Sequence, residues 1–271
     1  MNLSSRTDPL WRFAGVRPVT VLFFAYLYLP IIILLVLSFN LNDSATIWTG
    51  FSTHWYGVVL GNDDILRAAS NSLLIAISAT LLATLAATLA ALGMSRNTGA
   101  ARQRSTNMIN GIISLPLIVP EIVTAVATLL FFVLLGLQLG LLTVIIAHTV
   151  FCIPFAYLPI RARLVGMDAS LHEAAMDLYA NEWLTFRRIT LPLLWPGILS
   201  GAMLAFIISL DDFVITYFVA GAGATTLPVY IFGMIRIGIT PEVNAISALM
   251  LIVSIVFVSL SYLLGRSRSS G

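Results

Sequence analysis

The chain has 271 residues, 59% of them hydrophobic and 10% charged, with a formal net charge of +2 and a mean hydropathy of +0.99. A soluble domain carries about 25% charged residues, so the composition excludes an ordinary soluble protein and points to a polytopic membrane protein. All 14 basic residues are arginine, which excludes any motif that needs lysine, and the single cysteine, Cys152, leaves no disulfide framework.

The first 18 residues are polar and carry Arg6, Arg12 and Arg17. The apolar run 19–39 that follows is longer than the roughly 7–15 residues of a signal-peptide core, so it is expected as a retained first span. Five more runs, 68–93, 108–135, 139–160, 193–219 and 243–264, reach the about 20 apolar residues needed to cross the hydrocarbon core. The expectation is an all-α fold of six transmembrane helices, with a membrane domain over 19–264 and a short tail over 265–271. The second run repeats alanine ("ATLLATLAATLAALG"), a small-residue face suited to close helix packing. The third carries Pro116 and Pro120 and is expected to kink or break.

With six spans, Arg6, Arg12, Arg17, Arg96, Arg102, Arg104, Arg161, Arg163, Arg187, Arg188, Arg266 and Arg268 share one side, leaving Arg67 and Arg236 opposite. The positive-inside rule then places both termini in the cytoplasm. The 40–67 loop falls outside with Trp48, Trp55 and Tyr56, residue types favoured at the membrane–water interface.

Between the fourth and fifth spans the chain becomes water-facing, over 161–192. Ser170-Leu171-His172-Glu173 has capping-box spacing, so a short helix is expected from about Leu171. Ala174 and Ala175 leave part of its surface nearly bare, open to close approach by another protein. Asn181 is placed to cap a second short helix on which Trp183 and Phe186 share a face. Arg187 and Arg188 fall near its C-terminal end, where positive charge is favoured, and Pro192 is expected to end it as the fifth span begins. From the residues alone, this segment is either a docking element or a hairpin that covers the ends of the bundle, with Glu173 acting only as a cap.

Glu173-Ala174-Ala175, followed at the matching distance by Ile189-Thr190-Leu191-Pro192, resembles the cytoplasmic loop of type I ABC importer permeases. That loop reads Glu-Ala-Ala, a glycine after three more residues, and Ile-x-Leu-Pro after nine more. Tyr179 occupies the glycine position here, which implies another turn geometry or a side chain packed into the junction. The resemblance implies a coupling helix seated in a groove of a separate ATPase, with Glu173, Ala174, Ala175, Asp177, Tyr179, Arg187, Ile189, Leu191 and Pro192 in the coupling loop. It also implies a homologous second permease, two copies of the ATPase, an extracytoplasmic solute-binding protein and a place in the bacterial inner membrane. Independently, a phosphate-binding GxxxxGK[ST] loop needs a lysine that this chain lacks. ATP and Mg are therefore expected in the partner, with no cofactor, metal site or catalytic residue in this chain and no nucleic-acid partner.

"SLDDFVITYFVAG" (209–221), "TTLPVYIFGMIR" (225–236) and "PEVNAIS" (241–247) resemble the second permease of spermidine/putrescine-type importers. Related importers carry GABA, opines or phosphonates, so the cargo stays open at this point. Only three acids, Glu121, Asp211 and Asp212, fall within expected spans, with no arginine deep beside them. A charge at the bilayer centre costs at least about 2.5–3.5 kcal/mol on insertion scales, so acids without bases suit a small cationic cargo. Phe213 and Tyr217 stand close enough in sequence to add cation–π contacts. Adjacent residues lie about 100° apart on a helix, so Asp211 and Asp212 cannot both face one pore. The alternative for the aspartates is a structural pairing, with the partner permease or with a helix N-terminus. For Glu121 it is acceptance from backbone N–H groups freed after Pro120.

Two other function classes fit the sequence less well. A stand-alone secondary transporter accommodates the acids but leaves the Ile-x-Leu-Pro loop unexplained. A membrane-embedded enzyme needs a nucleophile–base pair or metal ligands, which His148, Cys152 and His172 do not supply.

Overall fold

The computed structural model describes residues 16–266 apart from 46, 96–99, 169 and 239. Arg6, Arg12, Arg96 and Arg268, most of the 1–18 segment and most of the 265–271 tail lie outside the described residues, as do the side chains of Arg102, His172 and Arg266. Among the described residues the fold is helical, the only strand-like feature being an isolated antiparallel bridge between Asn40 and Phe51. Contacts divide the chain into two compact units: described residues up to 61 with 234–252, and 62–233 with those from 253 onward.

In the smaller unit, helix α1 (Val16–Leu37) is apolar and has no buried residue. The loop after it is organised by buried Asn40, whose amide donates to the carbonyls of Ser44 (3.0 Å) and Ile47 (2.7 Å) and accepts from Thr49 N (3.2 Å). Helix α2 (His54–Leu60) follows.

The larger unit is built on three long helices that pack on one another: α3 (Asp63–Ser95), α6 (Leu141–Val165) and α9 (Leu191–Asp211). The alanine repeat works as its spacing implies, because Ala76, Ala79, Ala83, Ala87 and Ala91 of α3 are all buried. Helix α6 is buried along its length through Val144, His148, Cys152, Ala156, Tyr157 and Ile160. Helix α9 approaches it closely at two glycines one turn apart. A Cβ on Gly201 would lie 2.5 Å from the Ala156 carbonyl oxygen, and one on Gly197 would lie 2.7 Å from Arg163 Cβ. Small residues here let two backbones meet, which strengthens dispersion contacts where lipid offers no hydrophobic drive. Tyr157 donates to Asn110 Oδ1 at 2.6 Å and ties α6 to α4 (Ala100–Ile118).

Among the described residues five helices are long and apolar enough to cross a membrane, and a bent pair makes a sixth span if counted as one. That pair is α4 with α5 (Glu121–Leu134), bent by 105° around Pro120. The predicted break is therefore present and sharper than a kink. Proline lacks the N–H that would continue the ladder, and its extended backbone (φ −53°, ψ 132°) starts a new direction.

Two expectations need correction. The fifth run is not one helix over 193–219: α9 ends at Asp211, and α10 (Val214–Val219) begins after a break. Pro192, moreover, does not end the preceding helix. Helix α8 (Glu182–Thr185) continues through a π-helical turn (Phe186–Thr190) directly into α9. Pro192 directly follows the π-helical turn, and the helix runs on through it. Helices α11 (Leu227–Ile237) and α12 (Pro241–Arg266) complete the chain.

Candidate coupling and transport sites

The water-facing loop begins where α6 ends at Val165. Helix α7 runs over Ser170–Asp177, one residue earlier than expected. Its start is set by Asp168, whose carboxylate accepts the Ser170 backbone N–H at 2.9 Å. That bond, together with one from the Ser170 side chain, holds the exposed Asp168 carboxyl below its ordinary value. Ser170 therefore lies inside the first turn and bonds back to Asp168, rather than being the residue that caps the helix.

The C-terminal end of α7 is a Schellman closure: Ala180 N donates to Ala175 O and Tyr179 N to Met176 O, each at 3.0 Å. That motif places Tyr179 in the left-handed region (φ +58°), the one non-glycine residue there among the described residues. Both geometric expectations for Tyr179 are thus corrected. The turn keeps the conformation glycine favours, and the side chain is 99% exposed rather than packed into the junction. The alanine pair divides: Ala174 is exposed, whereas Ala175 is buried, so the bare patch is narrower than the sequence suggests. Glu173, Asp177, Arg187 and Pro192 are exposed, while Ile189 and Leu191 are half-buried.

Asn181 caps α8 as expected, accepting from Leu184 N at 2.8 Å, and the Trp183 and Phe186 rings lie 5.7 Å apart. Arg163 Nε donates to the Leu193 carbonyl at 2.9 Å and closes the base of the loop.

The second site is the break between α9 and α10. Asp211 is the exposed last residue of α9, and Asp212 is buried and extended (φ −61°, ψ 128°). In a bilayer an interrupted helix leaves backbone N–H groups that water cannot satisfy. Asp212 meets them: Oδ1 accepts Thr216 N at 2.9 Å and Oδ2 accepts Ile215 N at 3.4 Å. Of the readings open for Asp212, the helix N-terminus is the contact present. Glu121, half-buried in the first turn of α5, lies near Asp212. Phe213 and Tyr217 lie with ring centroids 5.3 Å apart, and Phe232 of α11 joins them at 4.7 Å from Phe213 and 5.9 Å from Tyr217.

Four further participants, His148, Ser209, Thr216 and Phe232, were given no role beside these acids by sequence reasoning. His148 of α6 is 1% exposed and meets Ser209 Oγ at 2.8 Å, Thr216 Oγ1 at 2.9 Å and Asp212 Oδ1 at 3.2 Å. A histidine inside an apolar run has to find polar partners, and that was a usable signal. Asp212 is of a residue type that starts helices, and that was the signal for the break. Phe232 carried no such signal, because its proximity to Phe213 is purely tertiary.

A family profile described as "Binding-protein-dependent transport system inner membrane component" matches residues 83–268. The chain is 40% identical over 248 residues to the spermidine/putrescine transport system permease protein PotC of Escherichia coli, covering 92% of each chain. It is 40% identical over 257 residues to the putrescine transport system permease protein PotI of Escherichia coli, covering 92% of this chain and 90% of that one. In fold it resembles a chain of a bacterial alginate ABC transporter, solved with an alginate pentasaccharide-bound periplasmic protein (TM-score 0.71, 18% identity, 95% of this chain and 94% of that one). With its helical spans, sharply bent pair and ABC importer permease fold, the chain belongs to the inner-membrane permease components of binding-protein-dependent transport systems.

Proposed function

We propose that this chain is one of two permease subunits of an ATP-driven importer of polyamines of the spermidine/putrescine kind. The observation that carries this reading is similarity to PotC and PotI at 40% identity over about nine-tenths of the chain, since both names include putrescine. The chemistry agrees. Exposed Asp211 offers a full negative charge to an ammonium group, and Phe213 and Tyr217 offer π faces beside it. Asp212, committed to its own helix, adds negative potential rather than direct ligation, and Glu121 stands beside it. Both termini lie in the cytoplasm on this reading, which puts the segment 161–192 there too.

A homologous permease completes the pathway, and an extracytoplasmic solute-binding protein delivers the cargo. Two ATPase copies hold ATP and Mg, because this chain has no lysine to reach the phosphates. Helix α7 presents Glu173, Ala174 and Asp177 to the ATPase, with Tyr179 projecting at its end and Arg187 farther along. Ile189, Leu191 and Pro192 carry the resulting movement into α9.

The test is uptake of labelled spermidine in cells with and without this gene, with putrescine, GABA and an opine as unlabelled competitors. Gene-dependent uptake in which only polyamines compete is expected. Better competition by GABA or the opine overturns the polyamine reading and leaves the family intact.

A further inference from the structure

We propose that His148 is a positioning residue for transport, which fixes the α9–α10 break and thereby sets Asp211 relative to Phe213 and Tyr217. The inference rests on the polyamine reading above for its cargo. Its basis is that one buried ring holds both flanks of the break at once. Ser209 comes from the last turn of α9, Asp212 from the break itself and Thr216 from the first turn of α10.

The hydrogen-bond bookkeeping leaves little freedom. The Thr216 hydroxyl has one hydrogen, which it donates to Asp212 Oδ1 at 3.1 Å. Its oxygen therefore accepts at the 2.9 Å contact with His148, so Nε2 carries a hydrogen. That hydrogen also faces Asp212 Oδ1, and Nδ1 is occupied by Ser209. Both ring nitrogens and both Asp212 oxygens are thus engaged with groups that flank the break.

The frame around the ring is rigid. Gly197 and Gly201 bring α9 onto α6 below it. Beyond α10, a Cβ on Gly221 would collide with the Leu139 carbonyl just before α6. The break is consequently held against α6 at three levels, with His148 the polar link in the middle. Asp211 precedes the pinned residue and Phe213 follows it, so rotation of the break would carry the acid and the ring in different directions.

The experiment uses the complete transporter, with both permeases, the ATPase and the binding protein, reconstituted in vesicles with labelled spermidine. His148→Ala is expected to raise KM for spermidine about tenfold, with the maximal rate within about twofold of wild type. His148→Gln is expected to recover part of that loss, because one amide can still bridge two partners. In the His148→Ala background, Asp212→Asn is expected to add less than about twofold, because both act through one network. A wild-type KM in His148→Ala, or a double variant whose losses multiply, overturns the proposal. If His148→Ala does not assemble, Ser209→Ala and Thr216→Val decide, each removing one side of the grip. Raised KM in both supports it and wild-type KM in both overturns it. A wild-type complex that takes up no polyamine overturns the cargo reading and this inference together. Saturable wild-type uptake unaltered in the variants overturns the inference alone.

Discussion

The segment Ser170–Thr190 and the α9–α10 break both interrupt apolar sequence with polar residues, and they resolve the resulting problem in opposite ways. In the loop, water does the solvating. Glu173, Asp177 and Arg187 are exposed, and Leu178 and Tyr179 protrude at 82% and 99% exposure. At the break, protein does it: Asp212 and His148 are 6% and 1% exposed, and their polar atoms are engaged with one another, with hydroxyls and with backbone N–H groups. The loop is built to be touched from outside, whereas the break is closed on itself except at Asp211 and the aromatic rings. A substitution in the loop should therefore act on assembly with the ATPase, and one at the break on cargo affinity.

The largest expected effect sharpens that division. Glu173→Arg reverses a charge on the exposed face of α7 and should lower uptake by about 30-fold or more, the scale of a lost interface hot spot. ATPase co-purification should fall in parallel while pairing of the two permeases persists. Normal co-purification would remove Glu173 from the docking surface.

Asp211→Asn comes next. Losing the charged partner of an ammonium, worth roughly 1.5–3 kcal/mol, should cost uptake about tenfold or more. ATPase co-purification should stay unchanged, and that contrast with Glu173→Arg is the result that separates the two regions. Saturation kinetics with labelled spermidine read it directly.

Tyr179→Gly has a smaller effect and one of opposite sign. A non-glycine residue in the left-handed region costs about 1–2 kcal/mol, so glycine should stabilise the end of α7 by about 1 kcal/mol. Slower hydrogen exchange at the amides of residues 179 and 180 would report it. Tyr179→Val should accelerate that exchange, because a branched side chain tolerates φ +58° less well.

The smallest effect concerns pH. Because the Asp168 carboxyl is held below its ordinary 3.8, its contribution is complete above that value and is lost as pH falls through the lower, folded value. The start of α7 should therefore be insensitive to pH across the neutral range and loosen only in strong acid. Asp168→Asn should remove that acid-limb dependence, as followed by exchange at the Ser170 amide.

Much of the loop was legible because its signals are local. Capping by Asn181, the shared face of Trp183 and Phe186, and the Glu-Ala-Ala spacing all lie within a few residues. Two errors there share a cause. A capping box at Ser170 and a stop at Pro192 were read from short patterns whose alternatives, Asp168 as acceptor and a π turn, are equally short. For the break, a helix N-terminus was one reading of the aspartates, but the apolar run over 193–219 was read as continuous.

By itself the sequence determined the helical class, the number of apolar runs, the break at Pro120 and the exposed polar segment between the fourth and fifth runs. Each follows from hydropathy over about 20 residues, from a missing N–H or from charge set among apolar neighbours. Only the tertiary structure decided that Asp212 turns inward to His148, that Ala175 is buried while Ala174 is not, and that Phe232 joins Phe213. The first and last of these depend on residues 64 and 19 positions apart (148 to 212, 213 to 232) meeting across packed helices, and no local pattern encodes a contact of that kind.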